Sequence, residues 1–505
     1  MRLRTLLACL VALALPAPAH AFVKSTHSVP VSQPDELGAP VALDTDVYLP
    51  NGTPPASGWP FVEVFHGGGS SKDSVFDADH AKALANRGYA SLIYSARGHG
   101  NSNGQVTVAG PKEIRDLFDV TAWALAQFKL DRERISLAGY SQGGLHTNLA
   151  QVWQADAGLN PYGVHFRVLL PGHTPDITFN ALVPNQVVKL SFGVGLLETY
   201  FVGGQGRVAP IVNKWIATAG ADQPGAYGGA TCDASGHDQS GSSMRADLAA
   251  RSVGCFAERM TLPTLWVQAF DDGLFPAEMA ISMWRRMPHR SQNRLYLAMG
   301  GHAAPTAQQA VQDHILADQF AFLDQHVLGR PANIPPVTYW TRDPAVAVAP
   351  DSYRYPLRAW YLQTAGGWPP EGTVDTVYGL GSDGRMVRRG ASAGTLALAP
   401  ADQDARHDPV VLAGTSGTPL GTTAATLPRV DAPGFVAGFR TDPLAKPQEL
   451  SGSPVARLAW TPAGTDSQLV LKVLDQAPDG RLTLLTRGVQ GIRGAQPLAR
   501  QQVRI

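Results

Sequence analysis

The first half of the chain switches repeatedly between two hydrophobic periods. "VALDTDVYLP" (41–50) alternates apolar and polar residues and ends at "NGTPP", which predicts a strand followed by a turn. "PFVEVFHGGG" (60–69) is an apolar run that stops in three glycines; "YASLIYSARGHG" (89–100), "RISLAG" (134–139) and "FRVLLPG" (166–172) read the same way. Between these runs lie "FDADHAKALANRG" (76–88), "PKEIRDLFDVTAWALAQF" (111–128) and "GLHTNLAQVWQA" (144–155). Their apolar residues recur at three-and-four spacing, which predicts helices. Apolar runs suit strands covered on both faces, and strands separated by helices build a mostly parallel sheet.

The rhythm lapses from Thr174 to Met260, where helical patches precede a Gly/Ser-rich loop. It returns with the strand "TLPTLWVQAF", the helix "AEMAISMWRRM", the strand "RLYLAMGGH" and a last helix ending at Gly329. Residues 174–260 are therefore expected to form a mostly helical cap over the carboxyl edge of the sheet. From Ile334 the runs become short and the turn signals frequent, as in "PVTYW", "TVDTVYGL", "QLVLKVLD" and "RLTLLTRG", which predicts an all-β sandwich. The expected domains are 22–333, with the cap insert at 174–260, and 334–505. "GLGSDG" (379–384) matches a dinucleotide-binding pattern, but no helix follows it, so it predicts a hairpin turn.

The first 21 residues stand apart. Arg2 and Arg4 precede an apolar run from Leu6 to Leu15, then prolines, then Ala19-His20-Ala21. This is the layout of a secretory signal peptide cleaved after Ala21, and the apolar run is too short to span a bilayer. The mature protein is thus expected outside the cytoplasm, secreted or periplasmic, with no membrane attachment. Cys232 and Cys255 remain after cleavage, and an oxidising compartment would join them. The 505 residues carry a formal net charge of zero and no basic block, which removes the electrostatic basis for a nucleic-acid partner. No H-E-x-x-H occurs and only His237 lies near the cysteines, so neither a metal nor a cofactor is expected.

G-x-S-x-G occurs three times, around Ser102, Ser141 and Ser392. A nucleophilic serine of this type needs an abrupt strand–turn–helix. Ser392 has no helix after it, and Ser102 lies in a long polar loop. Ser141 alone has an apolar strand directly before it and a helix directly after. A serine also needs a base and an orienting acid. Downstream, two strands end on the same carboxyl edge in "DDGLFP" and "GGH". His302 is the candidate base and Asp272 the candidate acid, with Asp271 as the alternative. Backbone N–H groups must face the tetrahedral oxygen. Gln142, after the serine, is one candidate donor, and Gly67 or Gly68 of "HGGG" the other.

With these residues in hand, the chain resembles the secreted acyl hydrolases similar to X-prolyl dipeptidyl peptidases and cocaine esterase. "YSARGHGNSNG" is similar to that family's R-G-x-G-x-S-x-G loop, and "EIRDLFDVTAWALAQ" to its E-x-x-D helix. "ELSGSPVARLAWTPAGTDSQLVLKVLDQAPDGRLTLLTRG" resembles its C-terminal β jelly roll. The resemblance implies an α/β hydrolase with a second, jelly-roll-like domain. Gln142 stands where the family usually has an aromatic residue, and "HGGG" where several members use a tyrosine hydroxyl. The expectation is an exported serine hydrolase that cleaves an ester or amide of a small molecule or short peptide through an acyl-enzyme on Ser141. The alternative is a secreted binding protein that uses the β domain. The β domain is otherwise expected to pack beside the cap and shape the pocket.

Overall fold

The computed structural model describes residues 22–189, 200, 202–220, 227–235, 241–270, 272–298, 301–302, 309–342, 360–390, 437–462, 465, 467–480, 482–494 and 501–504. Its centre is a ten-stranded sheet in the order β1-β2-β4-β3-β5-β6-β7-β8-β9-β10. The strands are β1 (Phe22–Val31), β2 (Val41–Pro50), β3 (Trp59–Phe65), β4 (Ala90–Tyr94), β5 (Leu130–Tyr140), β6 (Val168–Gly172), β7 (Leu265–Ala269), β8 (Arg294–Ala298), β9 (Val337–Arg342) and β10 (Trp360–Ala365). From β4 across to β9 every pairing is parallel, whereas β1–β2, β2–β4 and β9–β10 are antiparallel.

Alternate strand residues feed two cores. Phe61, Phe65, Leu137, Leu169, Trp266 and Leu295 face α2 (Pro111–Gln127), α3 (Gln142–Trp153) and the helix Ala277–Arg286. Val62, Val64, Ala138, Leu170 and Val267 face α1 (Val75–Asn86) and the helix Gln309–Leu328. Both faces are dry, which is why these strands read as unbroken apolar runs. All the parallel strands present their carboxyl ends to one edge, where loops that carry chemistry gather.

The cap contributes short helices at Thr178–Leu182, Pro210–Gly220 and Met244–Ala249. Its apolar side chains, Phe179, Val212, Trp215, Met244 and Leu248, cluster with Val106 and Val108 rather than with the sheet. Arg207 ties it down by donating to the carbonyls of Ser102 (2.6 Å) and Gly100 (3.0 Å). Cys232 and Cys255 are joined in a disulfide.

The strands expected to open the second domain, at 337–342 and 360–365, instead continue the first domain's sheet. Leu295 pairs with Val337, and Tyr296 with Thr338. Without β9, the edge of β8 would expose a row of unpaired backbone groups over the buried Leu295 and Leu297. The first strands after Ile334 thus complete the central sheet. Beyond it, the described β elements pair antiparallel: Tyr378–Leu380 with Met386–Arg388, Arg457–Trp460 with Gln501–Arg504, and Ser467–Gln476 with β11 (Leu482–Ile492). These form a β-sandwich-like region. "GLGSDG" is the turn of the first hairpin.

Candidate active site

β5 ends at Tyr140 and α3 begins at Gln142, leaving Ser141 alone at the turn with φ 59° and ψ −122°. A non-glycine residue held there stores about 1–3 kcal/mol of strain. Two glycines make the turn possible. A Cβ on Gly139 would lie 2.5 Å from the Gly143 carbonyl carbon, and one on Gly143 would overlap the Phe65 carbonyl oxygen. Ser141 N–H donates to Gly172 O at 2.8 Å, which pins the turn to β6.

Ser141 Oγ lies 2.9 Å from His302 Nε2, and His302 Nδ1 lies 3.0 Å from Asp272 Oδ2. The three residues come from the carboxyl ends of β5, β8 and β7. Asp272 is held from several sides: Oδ1 accepts the N–H groups of Leu274 (2.9 Å) and Phe275 (2.8 Å), and Oδ2 accepts Gln268 Nε2 (2.9 Å). Burial opposes its charge, but the facing imidazoles of His302 and His173 hold its carboxyl well below the usual carboxylate range. Asp271, the alternative acid, lies outside the described residues, as does Ser392. Ser102 is fully buried; its hydroxyl donates to Ser95 O (2.6 Å) and accepts Asp44 N–H (2.8 Å), so it braces a turn.

The "HGGG" stretch follows β3 and backs onto the elbow: a Cβ on Gly67 would sit 3.7 Å from Ser141 Cβ. The two glycines differ in what they face. Asp77, at the start of α1, lies near the Gly67 backbone, and burial pushes its carboxyl up to about 7. Gly68 is covered by Tyr200, and a Cβ there would lie 2.6 Å from the tyrosine hydroxyl. His66 locks the start of the loop, with Nδ1 donating to Gly67 O (2.7 Å) and Nε2 accepting Ala96 N–H (2.9 Å).

The Gln142 side chain turns away from the serine. Its Nε2 donates to Glu113 Oε2 at 3.1 Å. Glu113 also accepts His146 Nε2 (3.0 Å), Thr107 N–H (2.6 Å), Thr107 Oγ1 (2.9 Å) and Ala109 N–H (2.8 Å). Burial works against its charge, yet these donors, His146 foremost, keep it strongly acidic. The second acid of the E-x-x-D pattern, Asp116, binds Arg97 of the "RGHG" loop in a buried two-pronged pair at 2.6 and 2.7 Å. The two sequence motifs thus form one buried scaffold behind the elbow, and Gln142 belongs to it.

Two residues beside Asp272 escaped the sequence reading. His173 follows β6 and brings its Nδ1 to 3.3 Å from Asp272 Oδ2. "LLPGH" repeats the layout of "AMGGH", a strand end followed by glycine and histidine, and could have marked it. Lys189, from the cap, donates to Gly273 O (3.0 Å) and Leu274 O (2.9 Å) of the acid loop. Burial pushes its ammonium down to about 8 against the pull of Asp272. The cap segment before it meets β11, where Asn185 Nδ2 donates to Val489 O at 2.9 Å. The acid loop is thus held by a cap residue far from it in the chain, and no local pattern records it.

Comparison with known proteins follows this architecture. Residues 38–158 match the X-Pro dipeptidyl-peptidase (S15 family) model. Residues 332–495 match the X-Pro dipeptidyl-peptidase C-terminal non-catalytic domain. Dipeptidyl aminopeptidase BIII of Pseudoxanthomonas mexicana is 33% identical over 103 residues, which span 19% of this chain and 15% of that protein. An aminopeptidase from a marine sediment Thaumarchaeota archaeon superposes with a TM-score of 0.62 at 14% identity, covering 99% of this chain and 88% of the other. A CocE/NonD family hydrolase from Staphylococcus aureus gives 0.51 at 13% identity, covering 72% and 60%. The chain is a serine hydrolase of the α/β-hydrolase fold. More narrowly, its two matched stretches are similar to the S15 and C-terminal domains of the X-Pro dipeptidyl peptidases, and the chain resembles the X-Pro dipeptidyl-peptidase/CocE-like hydrolases.

Proposed function

We propose that the protein is an exported acyl hydrolase that cleaves an ester or amide through an acyl-enzyme on Ser141, with short X-prolyl peptides among its candidate substrates. The observation that carries this reading is the unbroken chain Ser141 Oγ–His302–Asp272, with the serine at the strained elbow. His302 Nε2 takes the hydroxyl proton as Oγ attacks the carbonyl, and Asp272 stabilises the imidazolium that forms. The N–H of Gln142, at the start of α3, and that of Gly68 stabilise the oxyanion. Gly67 is the alternative loop donor. His302 then protonates the leaving group, and water releases the acyl product by the reverse sequence.

Export with cleavage after Ala21 is supported by the Cys232–Cys255 disulfide. No helix among the described residues is long and apolar enough to cross a membrane. Peptidase specificity needs an acid to meet a free N-terminus. Of the cap acids Glu198, Asp222, Asp233, Asp238 and Asp247, only two fall in the described residues. Asp233 is exposed, and Asp247 is buried and engaged by Lys214 and Trp215.

A fluorophosphonate probe should label the purified protein and fail to label Ser141→Ala. Labelling that persists in the mutant would sink the assignment. Rates on p-nitrophenyl esters against Ala-Pro and Gly-Pro anilides then rank the two substrate classes.

A further inference from the structure

Asp272 is flanked by two histidines, and only one of them has a task in the hydrolytic cycle. His173 is 5% exposed, yet its Nδ1 has no hydrogen-bond partner. It stands 3.3 Å from Asp272 Oδ2, close enough for an ion pair. A buried imidazole nitrogen beside a carboxylate offers a lone pair to a cation held between them. His302 Nδ1 lies 3.0 Å from the same oxygen. One donor atom each from His173, Asp272 and His302 lies within 4.8 Å of the others.

Zinc binds imidazole nitrogen and carboxylate oxygen at about 2.0–2.2 Å in a tetrahedron, so ligand atoms of one site stand about 3.3 Å apart along its edges. The two nitrogen–oxygen separations here, 3.0 and 3.3 Å, are edges of that size. The donor set, two neutral nitrogens and one carboxylate, is that of catalytic and inhibitory zinc sites rather than of hard oxygen-seeking cations. His302 is about a quarter exposed, which leaves a solvent path to the cluster and room for a water as fourth ligand.

We propose that His173, Asp272 and His302 form an inhibitory Zn2+ site superimposed on the catalytic triad. Zinc takes the Nδ1 lone pairs of both imidazoles and one lone pair of Asp272 Oδ2. The proton on His302 Nδ1 must leave that atom, and it moves through solvent to Nε2. Nε2–H then faces Ser141 Oγ and can accept no proton from it, so the attack step is blocked with the nucleophile intact. The inhibitory consequence rests on the triad reading above; the metal site itself does not.

The experiment separates the two. Zn2+ alone is titrated by calorimetry into wild type and into Ser141→Ala, which keeps all three ligands. Saturable one-to-one binding is expected in both, with reversible loss of wild-type activity that a chelator restores. His173→Gln should weaken binding, and raise the inhibitory Zn2+ concentration, by about 10- to 100-fold or more. Because that variant could fold poorly, Co2+ is added to unaltered wild type as a second probe. A tetrahedral visible spectrum that Zn2+ displaces is expected. Absent one-to-one binding, an octahedral Co2+ spectrum, or equal Zn2+ affinity in wild type and folded His173→Gln would each overturn the site. Binding without inhibition would keep the metal site and overturn the assignment of His302 as base, which the fluorophosphonate labelling tests separately.

Discussion

Replacing Glu113 by glutamine tests whether the scaffold behind the elbow supports the nucleophile. The carboxylate accepts five hydrogen bonds and donates none. Oε1 takes both Thr107 donors, and Oε2 takes Ala109 N–H, Gln142 Nε2 and His146 Nε2. A glutamine amide nitrogen on either side would face at least one backbone N–H that cannot turn away. Each buried donor left without a partner costs about 1–3 kcal/mol, and removing the charged member of a buried pair costs about 3–5 kcal/mol in all. At about 2–4 °C per kcal/mol for a large domain, thermal unfolding should fall by roughly 6–20 °C. Because Gln142 opens α3, the fluorophosphonate labelling rate measured well below the transition should also fall, by roughly 10- to 100-fold. The pH dependence has a definite sign. The folded pKa of Glu113 is depressed, so its stabilisation is present above the unfolded value and is lost as the pH falls through the folded one. Wild type should therefore lose more stability than Glu113→Gln on acidification below about pH 4.3. A mutant within about 2 °C of wild type, with unchanged labelling, would refute the hub.

Glu63, wholly buried on β3 beside Thr121, has its carboxyl pushed up to about 8 by burial. Its folded pKa lies above the unfolded one, so wild-type stability should decline as the pH rises from about 4.3 to 8 at up to 1.4 kcal/mol per unit. Glu63→Gln should remove that slope, and denaturant titrations at both ends of the range check it. Gly143→Ala places a methyl group into the Phe65 carbonyl and must part α3 from β3, so kcat/KM should drop about 100-fold or more even where the protein folds; near-normal kinetics would contradict the elbow geometry. Opening the Cys232–Cys255 bridge by Cys255→Ser should destabilise the cap by about 2–4 kcal/mol, seen as faster limited proteolysis between residues 203 and 260 with the sheet intact.

The hydrophobic period alone located the sheet because each parallel strand is dry on both faces. The runs at 41–50, 60–65 and 134–139 coincide with β2, β3 and the end of β5. It also separated Ser141 from Ser102, since an elbow demands adjacent strand and helix and a braced turn does not. β1 was not anticipated: it pairs along the outer edge of β2 and alternates weakly, as edge strands do. That β9 and β10 join the central sheet was not legible, because composition does not report which sheet a strand joins.

From the residues alone came the βαβ order, the carboxyl-edge positions of Ser141, Asp272 and His302, and a place for Gln142 directly after the serine. Those follow from local periodicity and turn chemistry, which act over a few residues. Only the tertiary structure decided where the Gln142 amide points, and that His173 and Lys189 converge on Asp272. Each of these joins residues far apart in the chain, and burial made the difference: inside a dry scaffold every donor must find an acceptor, and only the packed fold determines which one it meets.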